Sequence, residues 1–470
     1  MQYRLPNLND ARKRSKNQVN RRNYTVKEED SHIGEGKYYL IKTHGCQANE
    51  RDSENIAGML EEIGYIKTEE EAKADLVIIN TCAIRSGAED KVWGELGALK
   101  RYKSLNEDMI IGLCGCMAQE EKTCRDILST YKQVDLIFGT HNLDELPSLI
   151  HKAMKQKTIE VNSFEGEVVE DLPSRRESKY KALVNIMYGC DKFCAYCIVP
   201  YTRGKERSRL IEDVLKEVED LKKEGYKEIT LLGQNVNAYG KDLGLGYDFA
   251  TLLDKVAKIG IPRVRFMTSH PWDFNDAMIE VIKNNENIMP YIHLPLQSGS
   301  DAVLRKMNRR YTEESYMALF DKLKANLPDF AFTTDIIVAF PSETEEDFER
   351  TLNMVDHCKY DNAFTFIFSP REGTPAYNME NTIPEEEKKS RLMRLNEKVA
   401  YYANMNAQKY QDQIVEVLVD GPSKKNKEVM CGYSREYKMV NFIGDCKEGD
   451  IVQVKITKAN SFSLNGEMVK

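Results

Sequence analysis

The chain has 470 residues, enough for about three domains at roughly 150 residues each, so it is no lone small module. Hydrophobic residues make up 41% and charged residues 30%, which excludes a largely disordered or collagen-like chain. The formal net charge is −8, so bulk attraction to nucleic acid is excluded and any such binding must be local.

No apolar run approaches a membrane span and the basic start lacks an apolar signal core, so a cytoplasmic protein with no membrane contact is expected. Eleven cysteines then need explaining, because stable disulfides are rare in a reducing compartment. Thiolate ligation becomes the leading reading. Residues 1–36 form a basic N-terminal tail. Within residues 1–27, Arg4, Arg12, Lys13, Arg14, Lys16, Arg21, Arg22 and Lys27 face only Asp10, and the tail is either a solubilising extension or a polyanion contact.

Residues 37–154 read as a first domain. Tyr38–Thr43, Leu76–Asn80, Met109–Leu113 and Val134–Phe138 are predicted strands, with helices at Asn49–Ile63 and Gly87–Lys103. Such alternation predicts a Rossmann-like parallel sheet. Cys46, Cys82 and Cys116 each fall just past the carboxyl end of a strand, in the crevice where open parallel sheets build ligand sites. Scattered cysteines are ordinarily buried thiols, and it is the shared placement that favours a site. Cys114, Cys124, Cys358, Cys431 and Cys446 lack this pattern.

A polar connector is expected around 155–180, and residues 176–406 read as a second domain. Its strands are predicted at Leu183–Tyr188, Glu228–Leu232, Arg263–Met267, Tyr291–Pro295, Phe332–Val338 and Ala363–Phe368, with helices such as Ile211–Glu224 and Glu345–Cys358. Six βα units imply an α/β domain built as a partial barrel, with chemistry in the loops at the strand carboxyl ends. The first such loop holds Cys190, Cys194 and Cys197, spaced C-x3-C-x2-C. Three thiolates so spaced can wrap one iron–sulfur cube and leave its fourth iron open. A structural zinc site would want a fourth protein ligand, and none is near in sequence.

Gln234 and Asn235 end the second barrel strand, and Gln297 and Ser298 the fourth, where polar groups can face a cofactor. Arg203, Lys205, Arg207 and Arg209 come after the cysteine loop, and Arg309 and Arg310 lie near another mouth loop; they are phosphate contacts or solvated charge. Residues 409–470 read as short strands at Ile414–Val419, Met439–Phe442 and Ile451–Ile456 between turn residues, which predicts a small all-β barrel. Ten basic and nine acidic side chains over 407–470 leave that barrel nearly neutral. Base stacking by Tyr433, Tyr437 or Phe442 is one use for its aromatics, and core packing the other.

The segments THGCQANERDSE, NTCAIR, GCMAQ, GCDKFCAYCIVPYTRGKERSR, LLGQNVNAYG, SHPWDF, HLPLQSGSDAVLRKMNRRYT and FSPREGTPA, in that order, resemble the methylthiotransferase family of radical S-adenosylmethionine enzymes. The resemblance runs from about residue 37 to the end. It implies an N-terminal methylthiotransferase domain, a radical core and a C-terminal TRAM domain, which is an RNA-binding barrel similar to OB folds. It further implies two 4Fe-4S clusters and S-adenosyl-L-methionine. The cluster on Cys190, Cys194 and Cys197 would yield a 5′-deoxyadenosyl radical, and an auxiliary cluster on Cys46, Cys82 and Cys116 would carry the sulfur. The stretches PYTRGKERSR and VDGPSKK are most similar to the branch that methylthiolates C2 of isopentenyladenosine 37, beside the anticodon of tRNA.

The other branches act on threonylcarbamoyl-adenosine or on a ribosomal-protein aspartate. A metal-stabilised RNA-binding protein is the non-enzymatic alternative. The expected partners are a tRNA anticodon stem-loop and an electron donor such as a flavodoxin or ferredoxin, and the expected state is a monomer. The family usually shows glycine where this chain has Ala339 and Ser342, which puts the backbone geometry there in question.

Overall fold

The computed structural model describes residues 8–82, 86–162 and 167–469, with side chains 86–90 also outside the description. Arg4 of the basic tail and residues 83–85 of NTCAIR therefore lie outside the described residues.

Six parallel strands form the first sheet: β1 (Tyr38–His44), β2 (Ile66–Lys67), β3 (Leu76–Thr81), β4 (Ile110–Gly115), β5 (Leu136–Phe138) and β6 (Thr158–Glu160). Their spatial order is β2-β1-β3-β4-β5-β6. β3 and β4 are buried along their whole length, as continuous apolar runs such as Leu-Val-Ile-Ile require of a sheet covered on both faces. Separate apolar cores lie on the two faces, around Val77 and Ile111 on one and Ile78 and Leu136 on the other. β2 and β6 are too short for periodicity to reveal, and β6 lies in the stretch expected to be a plain connector.

The basic segment is no loose exposed tail. Residues Leu8–Arg14 form a helix whose Ala11 is buried with Cys116, Phe193, Ile198 and Tyr201. Arg21–Asn23 pairs in parallel with Val168–Glu170, a second strand inside the expected connector. Arg21 donates to the Ser208 carbonyl at 3.1 Å, and Arg22 pairs with Asp144 and Glu167. The charges that read as a solubilising tail act as a strap across the joint between the first two domains, because internal carboxylates and carbonyls meet them.

The central region has six parallel strands in two arcs: β7 (Lys181–Asn185), β8 (Glu228–Leu232) and β9 (Arg263–Phe266), then β10 (Tyr291–His293), β11 (Ala331–Val338) and β12 (Asn362–Ile367). A parallel bridge between Val264 and Ile288 joins the arcs. Ile229, Val264, Ile292 and Ile336 point outward into one apolar core shared with the covering helices. Residues of the opposite parity face the lumen.

Five strands close the C-terminal barrel: β13 (Ile414–Pro422), β14 (Met430–Ser434), β15 (Met439–Ile443), β16 (Ile451–Ala459) and β17 (Ser463–Met468), in the order β13-β14-β15-β17-β16. β14 and β17 escape the sequence pattern because each is short and carries a glycine, which weakens strand propensity. The turn between β14 and β15 plugs the amino-terminal end of the central barrel. Tyr433 stacks on Tyr437 with centroids 4.5 Å apart, the Arg265 guanidinium lies 3.4 Å from the Tyr437 ring centre, and Arg263 donates to the Ser434 carbonyl at 2.8 Å. Tyr433 and Tyr437 are thus committed to a domain interface and Phe442 to the barrel core, so packing is the use these aromatics find.

Candidate functional site

The parallel register brings the first three cysteines together. His44 lies opposite Thr81, and Thr81 opposite Gly115, so three strands end level. Cys46, Cys82 and Cys116 come within two residues of those ends. The Cys82 amide donates to the His44 carbonyl at 2.9 Å, and Cys46 caps the helix Gln47–Glu62. Gly115 sits at φ 92°, and a Cβ there would meet the Thr81 carbonyl oxygen at 2.4 Å. Only glycine lets the chain turn from β4 into the cysteine at that spacing.

The second triplet comes after β7 and the short strand Met187–Tyr188. Gly189, at φ 69°, presses against the Gly204 and Lys205 carbonyls, and the Cys190 amide donates to Gly204 at 3.0 Å. Ala195 donates to the Met307 carbonyl and accepts from the Ala376 amide, both at 2.8 Å, so strand-end loops pin the cysteine loop from two sides.

All eleven cysteines are free thiols. Among the described residues, no group of three or more His, Cys, Asp or Glu side chains is placed to hold a single metal ion. Three thiols around a polynuclear cluster need not converge on one point, and an all-sulfur donor set suits iron–sulfur chemistry. Burial pushes the Cys190 and Cys197 thiols up. Cys46 is drawn below the usual thiol range by its hydrogen bond with Cys82, against burial and with help from the Arg203 charge.

Four of the five arginines expected to touch RNA point inward. Arg203 donates to Cys116 Sγ at 3.3 Å and to Asp52 at 2.7 Å. Arg209 is held by Glu170 at 2.6 Å and Glu217 at 2.5 Å. Arg309 donates to Cys194 Sγ at 3.3 Å and to the Tyr311 hydroxyl at 3.0 Å. Arg207 is buried with its guanidinium 5.9 Å from the Tyr188 ring centre. Arg203 and Arg209 are matched by carboxylates, Arg309 donates to a thiol and neutral oxygens, and Arg207 is buried, so all four are turned away from the surface where a phosphate was expected. Arg310 stays exposed, 4.8 Å from the ring centre of half-exposed Trp272, with Lys192 of the cysteine loop 5.4 Å from the same ring.

Among the expected cofactor contacts, Asn235 is spoken for, since its amide donates to Asp273 at 2.7 Å and its oxygen accepts from the His270 amide. Ser298 is fully buried and caps the Ser300 amide. Both side chains are engaged by neighbouring protein groups at the strand ends where a cofactor contact was expected. Gln234 is half-buried at the mouth, and Gln297 takes φ 67° where its backbone pairs across to Ile336. Ala339 and Ser342 take φ 57° and 61°, the left-handed region that favours glycine, which explains why glycine is usual there.

Strand parity also exposes residues not singled out from sequence. Ala363 and Ile367 pack outward against the helices and Thr365 bonds to Asn396, so Phe364 and Phe366 face the lumen, 46% and 43% exposed. The Phe364 ring meets His293, with centroids 6.0 Å apart, and His293 bonds to Asp335 at 3.3 Å. One residue pair further on, Phe368 packs beside Ala195 and Tyr196 of the cysteine loop. A period-two pattern in AFTFIF was the available signal.

The Radical SAM superfamily pattern matches residues 184–355, that of the uncharacterized protein family UPF0004 matches 38–139, and the TRAM domain pattern matches 408–469. The radical S-adenosylmethionine methyltransferase TsrM from Kitasatospora setae shares the fold over 73% of this chain and 75% of its own, with a TM-score of 0.52 at 12% identity. These findings define a radical S-adenosylmethionine protein with a terminal TRAM barrel. The chain is 52% identical over 472 residues to the tRNA-2-methylthio-N(6)-dimethylallyladenosine synthase of Staphylococcus saprophyticus, covering 99% of this chain and 92% of that protein. It is also 52% identical over 469 residues to the synthase of Geobacillus kaustophilus, covering 99% and 88%. The protein belongs to the tRNA-2-methylthio-N(6)-dimethylallyladenosine synthase family of radical S-adenosylmethionine methylthiotransferases.

Proposed function

We infer that this protein adds a methylthio group to C2 of N(6)-isopentenyladenosine 37 in tRNA. The observation that carries this is 52% identity along the whole chain to synthases of that product. An adenine C2–H bond is beyond side-chain acid–base chemistry, and a four-iron cluster with S-adenosylmethionine supplies the radical needed when bound. Cys190, Cys194 and Cys197 are the residues to hold that cluster, in a loop fixed by Met307 and Ala376. Cys46, Cys82 and Cys116 would hold a second one.

The remaining residues orient and sort the substrate. Phe364 and Phe366 give the lumen an apolar wall suited to a dimethylallyl arm. Arg310 and Trp272 pair positive charge with a ring at the mouth, where a splayed anticodon-loop base and its phosphate can dock. A low-potential one-electron donor of the flavodoxin or ferredoxin class would supply reductant. No described helix is long and apolar enough to cross a membrane.

Nucleoside mass spectrometry on tRNA from cells lacking the protein tests the reading. Isopentenyladenosine should accumulate without its 2-methylthio form. Unchanged 2-methylthio-isopentenyladenosine, with loss of a methylthio group elsewhere, would contradict it.

A further inference from the structure

Each triplet carries a buried arginine on one of its sulfurs, and the two arginines differ in what else they touch. Arg203 bridges Cys116 Sγ at 3.3 Å and the Asp52 carboxylate at 2.7 Å, so its charge is matched. Arg309 reaches Cys194 Sγ at 3.3 Å, the Pro295 carbonyl at 3.3 Å and the Tyr311 hydroxyl at 3.0 Å. All of these are neutral groups apart from the sulfur. Among the described residues, no carboxylate forms an ion pair with Arg309, so its charge is unmatched. Arg203 and Arg309 are 8% and 7% exposed, so water screens neither.

The triplets also adjoin. Cys116 packs in one apolar cluster with Phe193, Ile198 and Tyr201, which flank Cys194 and Cys197. Clusters held on neighbouring ligands can exchange an electron, and their relative potentials then decide where it rests. Reduction adds one negative charge to a cluster. Hydrogen bonds to its sulfurs and nearby positive charge favour the reduced form, while a neutral arginine–carboxylate pair contributes the hydrogen bond without the net charge.

We propose that Arg309 and Asp52 are positioning residues that set the two cluster potentials apart, Arg309 raising that of the barrel cluster and Asp52 cancelling the same effect of Arg203 on the N-terminal cluster. The proposal rests on the assignment of both triplets as cluster ligands. Its consequence is that one electron from a low-potential donor, delivered to either cluster, settles on the barrel cluster beside S-adenosylmethionine. The transfer oxidises one cluster, reduces the other, and makes or breaks no bond. The matched and unmatched arginines thereby keep the sulfur-carrying cluster from draining the radical-generating one.

The test is an anaerobic redox titration of the holoenzyme with dithionite and mediators, monitored by electron paramagnetic resonance. The signal that changes on adding S-adenosylmethionine identifies the barrel cluster. Asp52→Asn, which keeps shape and removes charge, should raise the midpoint of the other signal until the reduced-to-oxidised ratio at the wild-type midpoint rises about tenfold, or 59 mV for one electron. The responsive signal should stay in place. Arg309→Gln should lower the responsive midpoint by a similar amount, and Arg309→Lys, which keeps the charge, should restore most of it.

A merely structural role would cost iron without moving the two midpoints in opposite directions. An unmoved or lowered N-terminal midpoint in Asp52→Asn, at wild-type iron content, overturns the proposal. If Arg309→Gln loses its iron, Asp52→Asn decides alone. A wild-type content of about four irons per chain, in place of the eight of two four-iron clusters, would instead overturn the two-cluster reading beneath it.

Discussion

One cysteine triplet is written in eight consecutive residues, Cys190 to Cys197, while the other is spread over 71 and exists only because three strands end level. The loop needs its own turn and the clamps from Met307 and Ala376. The assembled triplet needs the whole first sheet, and then the docking of that sheet on the barrel, since Arg203 reaches Cys116 from the barrel side. The lesson is that two sites of the same chemical composition can depend on structure at very different range.

The joint between the domains is where this difference can be broken. Arg51, Arg176 and Arg209 converge on Glu217, with Glu54 and Glu170 completing a buried knot between the helix Gln47–Glu62, the connector and the helix Ile211–Lys223. Replacing Arg209 by Met strands buried Glu170, leaves Glu217 with Arg51 and Arg176 only, and should cost about 3–5 kcal/mol in denaturant titration. Iron bound through Cys46, Cys82 and Cys116 should be lost before that on the barrel loop. Equal loss from both sites would remove the distinction.

Acid sharpens the same contrast. Burial alone would raise the Glu217 carboxyl, but Arg209, Arg51 and Arg176 outweigh it and hold it at about 2. A lowered folded-state value means that this contribution is fully present above the unfolded value near 4.3 and fades as pH falls toward 2. About 3 kcal/mol should go over that window. Glu217→Gln should flatten the stability profile there, as read by chemical denaturation at a series of pH values.

The smallest expected effect is on the barrel side. Ala339 and Ser342 hold left-handed backbone at φ 57° and 61°. Glycine removes a steric cost of about 1–2 kcal/mol and adds an entropic one of about 0.5–1. Ala339→Gly or Ser342→Gly should therefore stabilise by about 0.5–1 kcal/mol in thermal unfolding, with the N-terminal site untouched.

Range also decides how much the sequence reveals. C-x3-C-x2-C declares itself in one loop, and the alternation around Cys46, Cys82 and Cys116 places them at strand ends, because parallel sheets gather the loops at the carboxyl ends of their strands. The arginines are legible as charges but not as buried ones. Nothing local marks Arg309 as the buried one and Arg310, over Trp272, as the exposed one, because the sulfur that Arg309 meets is that of Cys194, over a hundred residues away. The strap around Arg21 and Arg22 escapes a sequence reading for the same reason, its partners Ser208, Asp144 and Glu167 being distant. Asn235 and Ser298 stand at the right strand ends, yet neighbouring loops claim their polar atoms.

The central claim is that the two triplets do different work, and Cys116→Ala set against Cys194→Ala tests it most directly in anaerobic assays with isopentenylated tRNA. Cys194→Ala should abolish formation of both 5′-deoxyadenosine and the 2-methylthio product. Cys116→Ala should still yield 5′-deoxyadenosine while transferring no methylthio group. Cleavage of S-adenosylmethionine that survives in Cys194→Ala, or methylthiolation that survives in Cys116→Ala, would contradict the account.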